Sequence, residues 1–292
     1  MLALGLVAAL VASVLFNAGI ALQGIEARAA PAKLALRWSL LLRLLRRPRW
    51  VLGWLLGIIG IGPQLVALAE APFVLVQPAL AVGLLLLLVV GARTFHEPVG
   101  KPEAAGVLAI IGGIALIAWG APGRTEAQRS VAAAIAVVGA MCVVAVLPFA
   151  VKRTRFDSGM LAIIASGCGF GASNVATKLM ADGASVGRYG VAAAWAVVAV
   201  GIGVVATLMA MTAFQRRRAT TVVPVSTAIQ TFLPIVVEPF FLREQWSDAT
   251  FGGVPIVAGL LISLVGTVLV SRTTAVGKLA AGPKPGKRRR RS

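Results

Sequence analysis

Histidine and cysteine are nearly missing from this chain, which holds one of the first and two of the second in 292 residues. His96 stands beside Glu97 with no further metal-ligating neighbours, which leaves no zinc cluster, catalytic dyad or triad to assign. Cys142 and Cys168 have neither metal nor redox spacing and fall inside apolar runs, where they read as packing residues. Charge is scarce as well: 13% of residues are charged and 59% are hydrophobic, a balance that excludes a soluble two-domain enzyme. The net charge of +18 sits at the edges of apolar stretches rather than on one folded face, so nucleic acid is not an expected partner. No catalytic residue, metal or cofactor is expected.

What remains is apolar sequence in long blocks. A helical crossing of the hydrocarbon core needs about 20 predominantly apolar residues, and nine such stretches occur near 2–22, 50–69, 72–92, 103–121, 130–150, 159–178, 189–213, 222–242 and 252–271. The expected fold is therefore all-α and polytopic, with nine spans. Alternate gaps between the spans, together with the C-terminal tail, hold 23 of the 28 Lys and Arg residues, and the other gaps, counting Lys178 at the edge of its span, hold 5. Cytoplasmic flanks collect Lys and Arg. The N-terminus is thus expected outside, the C-terminus inside, and the chain in the plasma membrane. The first stretch is retained as a span because no Lys or Arg precedes it, whereas a cleaved signal carries its positive charge before the apolar run.

The expected divisions are span 1 over 1–22, a basic cytoplasmic connector over 23–49, spans 2 to 4 over 50–121, span 5 as a connecting helix within 122–150, spans 6 to 9 over 151–271, and a disordered polybasic tail over 272–292. In the connector, Arg37, Arg43, Arg46, Arg47 and Arg49 are interleaved with leucines, as in a short interfacial helix on an anionic leaflet; a cluster that only orients the chain is the alternative. Trp38, Trp50 and Trp54 are expected at the inner headgroups, and Trp119, Trp195 and Trp246 at the outer ones. The connector and tail name anionic lipid as a partner, and a homodimer is admissible.

Residues 78–121 and 224–271 follow one plan. Pro78 precedes Glu97 by 19 residues and Pro224 precedes Glu244 by 20, while Gly106 and Gly253 each follow their Glu by 9. The runs Phe16 to Gln23 and Gly171 to Lys178 correspond as small, polar closures of a span. The copies begin five spans apart, an odd number, so a duplication would set them in opposite orientation. Inverted repeats are the plan of many alternating-access carriers, with the substrate site near the midplane.

Arg47-Pro48-Arg49-Trp50-Val51-Leu52-Gly53, Ala67 to Leu80 across the turn between spans 2 and 3, Glu97 followed by Gly106, Gly112 and Gly113, the Gly171 to Lys178 run, and Glu244 followed by Gly252 and Gly253 resemble, in that order, the EamA type of the drug/metabolite transporter superfamily, nearest the branch of the NIPA magnesium transporters. The resemblance covers roughly residues 1–272 and implies a carrier of two inverted bundles. Glu70 and Gln77 stand where NIPA-like proteins usually show an aromatic and a small hydroxyl residue, so magnesium activity does not carry over.

Polar side chains at membrane depth are costly and usually face a bundle interior or cavity. Asn17, Gln77, Asn174, Thr227 and Gln230 are the candidate substrate-binding residues, with Gln23, Gln64, Ser226 and Thr231 also at depth. Gln77 and Gln230 adjoin Pro78 and Pro234, where a broken helix would free carbonyls. Glu238 and Glu70 are the candidate coupling carboxylates, Glu238 suiting proton uptake. For any one of these, a hydrogen bond to a neighbouring helix or a reach to the headgroups is the competing role. Gly167, Gly169 and Gly171 lie inside an apolar span and so fit close helix packing rather than a phosphate loop. The expected function is secondary transport of a small organic metabolite or cation. A magnesium or other divalent-cation carrier, a lipid-linked flippase and a non-transporting scaffold stay open beside it.

Overall fold

A computed structural model describes residues 2–70, 76, 79–80, 82–85, 93, 100–120, 131–151, 158–241 and 250–272. Among these all regular structure is helical. Helix α1 covers Leu2–Ala29, a 3₁₀ turn Ala32–Leu34, α2 Trp38–Leu45, α3 Pro48–Glu70, α4 Lys101–Gly120, α5 Val131–Ala150, α6 Ser158–Ser185, α7 Tyr189–Arg216, α8 Ala219–Phe241 and α9 Val254–Arg272. Helices α1, α4, α6, α7 and α9 are long and apolar enough to cross a membrane, and the protein is a helical membrane protein. Most of span 3, with Gln77, Pro78, His96 and Glu97, lies outside the described residues, as do Glu244, Trp246 and residues 273–292.

Large apolar side chains cover the outside. Leu4, Val7, Val11 and Val14 on α1, Val197, Val200 and Val204 on α7, and Leu261, Leu264 and Val265 on α9 are all exposed, in the manner of a lipid-facing surface. Lipid supplies no hydrophobic force between helices, so close backbone packing has to join them. Glycine does this here. A Cβ on Gly19 would strike the carbonyl of Gly53, and one on Gly53 the carbonyl of Gly19, which joins α1 to α3. In α6, Gly167 faces Ile229 of α8, Gly169 faces Ala206 of α7, and Gly171 faces Met141 of α5 and Gln230 of α8, so one short glycine series lets α6 approach three helices.

Gly113 and Gly259 join α4 to α9 in the same way, each Cβ position meeting the other's carbonyl oxygen, and Gly266 meets the carbonyl of Gly106. The order of these contacts makes α4 and α9 antiparallel. Helices α6 and α7 form a hairpin closed at Gly187, whose φ of 73° suits glycine.

Helix α1 runs past the expected end of span 1 near residue 22, through Gln23, Gly24 and Glu26 to Ala29. One expectation is corrected. Helix α8 continues through Pro224 and Pro234 without a break. Pro234 still lacks an N–H, so the carbonyl of Gln230, four residues earlier, loses its helical donor. Trp50, expected at the inner headgroups, is 5% exposed and its indole N–H donates to Met211 Sδ at 3.3 Å, seating α3 against α7.

Candidate functional site

Ser13 and Asn17 lie one turn apart on α1 and both are buried. The Ser13 hydroxyl donates to the carbonyl of Leu80 at 2.5 Å and accepts from the N–H of Gly83 at 2.8 Å. Asn17 Nδ2 donates to the carbonyl of Ser13 at 2.8 Å. A Cβ at Gly83 would overlap both side chains, so glycine there is what lets the two polar groups reach this backbone. Val82 stands in a turn, and Ser13 pairs with the carbonyl of Leu80 and the N–H of Gly83 on either side of it.

A second polar contact joins α6 to α8. The Ser166 and Ser226 hydroxyls are 3.0 Å apart, with Ser166 also donating to the carbonyl of Ile163 at 2.8 Å. One turn further along α8, Gln230 is half-buried, and its backbone carbonyl, the one deprived by Pro234, faces Gly171. Thr227 is half-buried beside it, whereas Asn174 is exposed on α6. Neighbouring Ser173 donates to the carbonyl of Ala199 on α7 at 2.9 Å. Among the described residues no hydrogen bond joins Asn17 to Asn174, Thr227 or Gln230. Glu70 is half-buried as the last residue of α3. Gln77 and the side chains of Thr231 and Glu238 lie outside what is described.

Two buried carboxylates stand at or beyond the edges of the apolar stretches, where the sequence gives no sign of their burial. Glu26 is 8% exposed and meets Arg47 Nη1 at 3.9 Å. Glu103, also 8% exposed, accepts from the N–H of Gly100 at 2.9 Å and so caps the start of α4. Nearby, Arg28 Nε donates to the carbonyl of Phe214 at 3.2 Å and Nη2 to that of Arg217 at 2.9 Å, tying the end of α1 to the end of α7. The N–H of Leu36 donates to Thr212 Oγ1 at 3.1 Å. Leu36 holds a φ of 56°, a left-handed conformation that a Leu adopts only where its surroundings impose it.

A depression of about 300 Å³ on α1 is lined by Val7, Leu10, Val11, Val14 and Leu15 and offers a ligand only apolar contact. Among the described residues no three His, Cys, Asp or Glu side chains are grouped to hold a metal ion. Comparison with family models, with curated proteins and with solved structures finds no match.

Proposed function

We infer that the protein is a secondary carrier of a small organic metabolite or cation, working by alternating access, with nine spans in two inverted repeats of the drug/metabolite-transporter kind. One observation carries this reading. Helices α4 and α9, which hold the same place in the two Pro-to-Glu units, pack antiparallel through Gly113 and Gly259. Those glycines are 146 residues apart, the separation of Pro78 from Pro224 (259 − 113 and 224 − 78) and one less than the 147 that separates Glu97 from Glu244 and Gly106 from Gly253. Contact between residues within one position of equivalence is what a two-fold axis in the membrane plane would give.

Other contacts agree. Counting from each proline, the second and fifth residues meet the first helix of their own unit: Leu80 and Gly83 meet Ser13, while Ser226 and Ile229 meet Ser166 and Gly167. Phe16, just before Asn17, covers Gly60 in the α1–α3 hairpin, and Ser173, just before Asn174, covers Gly203 in the α6–α7 hairpin.

On this reading the substrate path runs between the halves. Asn17, Gln77, Asn174, Thr227 and Gln230 supply its amide and hydroxyl groups, the N-terminus is outside, and Glu238, with Glu70 as the second carboxylate, couples proton movement. An amide without partners in hydrocarbon costs several kcal/mol, and one wet cavity serves several amides at once. The test is uptake by proteoliposomes of purified protein against a panel of organic cations and metabolites. Saturable uptake of a panel member that exchanges with internal substrate supports the carrier; uptake linear in concentration for every solute, equal to empty vesicles, opposes it.

A further inference from the structure

We propose that α2 is a seat for anionic phospholipid at the membrane surface, one that grips the end of α7. Positions i, i+4 and i+7 share a helix face, and α2 carries three different faces. Leu40, Leu41 and Leu44 are buried, in the cluster that also contains Met209, Met211 and Phe214 of α7. Trp38, Leu42 and Leu45 form a second stripe, exposed by 50, 63 and 55%. Ser39, Arg43 and Arg46, each one residue further on, form a third, also exposed, about 100° round the helix from the second.

The second stripe belongs to the lipid-facing surface. Trp38 stacks on Phe149 at the end of α5, with ring centroids 6.2 Å apart, and α5 presents exposed Val143, Val146 and Leu147 just before it. The apolar outer face of α5 thus continues onto α2. With Trp38, Leu42 and Leu45 among acyl chains, the adjacent arginines stand at phosphate level. Among the described residues no carboxylate pairs with Arg43 or Arg46; Glu26, the acid within residues 23–49, is buried and faces Arg47. Exposed Arg37 and Arg49 flank the helix. Apolar stripe and basic stripe side by side fit a phospholipid with a net negative headgroup, and not a soluble anion, which would leave three large apolar side chains in water.

The inference needs a membrane protein but no transport activity. The experiment is hydrogen–deuterium exchange of peptides covering residues 36–47 in the full chain, held in nanodiscs of phosphatidylcholine, of phosphatidylcholine with increasing phosphatidylglycerol, and of phosphatidylcholine with inorganic phosphate. Exchange should slow with phosphatidylglycerol and not with phosphate. In the double variant R43Q/R46Q the phosphatidylglycerol content needed for half the effect should rise about 30-fold, roughly fivefold per charge, which removes the effect at attainable compositions. L42S/L45S should lose it while residues 209–214 of α7 exchange as before, so the loss is not unfolding. Equal exchange in both lipids, slowing that survives R43Q/R46Q, or equal slowing by phosphate would overturn the proposal.

Discussion

Gly113 and Gly259 face each other so closely that a methyl group on either would strike the other's carbonyl oxygen. Neighbouring Gly112 has open space where its Cβ would be, so two adjacent glycines make opposite predictions. Gly113→Ala forces α4 and α9 apart and should cost about 1–3 kcal/mol, read as a lower thermal midpoint in detergent. Gly112→Ala should match or exceed the parent, since alanine is the better helix former.

Ser13 holds the backbone carbonyl of Leu80, 67 residues away in sequence, and the N–H of Gly83. Ser13→Ala leaves the N–H of Gly83 unpaired in a buried site and should cost about 1–3 kcal/mol. Ser226→Ala removes one contact of Ser166, which keeps its bond to Ile163, so its cost should be nearer 0.6 kcal/mol, the average for a hydrogen bond between membrane helices. Thermal melts of the two variants compared directly check the order; equal losses would contradict it.

At the other end of α1, Thr212→Val keeps the shape of the side chain and removes the acceptor for the N–H of Leu36. The left-handed turn at Leu36 then loses its anchor. Stability should fall by about 1–3 kcal/mol, and proteolysis should cut near residues 33–37 faster than in the parent. Thr212→Ser, which retains the hydroxyl, should behave like the parent in both assays.

If Glu238 takes up the driving proton, Glu238→Gln should abolish the dependence of uptake on a pH gradient while equilibrium substrate binding stays near that of the parent. Gradient-driven uptake that is unchanged in this variant rejects its role.

The helices were legible because an apolar run long enough to span a bilayer needs no partner to be recognised. Asn17 was legible for the converse reason, being an amide where amides are expensive. Ser13 was not, since a serine within a helix commonly bonds its own preceding turn, and nothing local says that the backbone of residues 80–83 lies beside it. The glycines announced close packing but not which helix each one meets. Glu26 stands beyond the apolar stretch that ends near residue 22, where hydropathy gives no sign that the helix runs on to Ala29. The leucines of the connector showed their periodicity; that α7 lies beneath them is a tertiary fact.

The opposite orientation of the two halves is tested most directly by labelling single cysteines in a chain with Cys142 and Cys168 replaced by Ser, using an impermeant thiol reagent on intact cells. Leu4 and Phe251, at the starts of spans 1 and 9, should react from outside. Lys101 and Gly159, at the starts of spans 4 and 6, should react only after the membrane is opened. Labelling of Leu4 and Gly159 from the same side, or of Lys101 and Phe251 from the same side, would contradict the inverted repeat and with it the carrier.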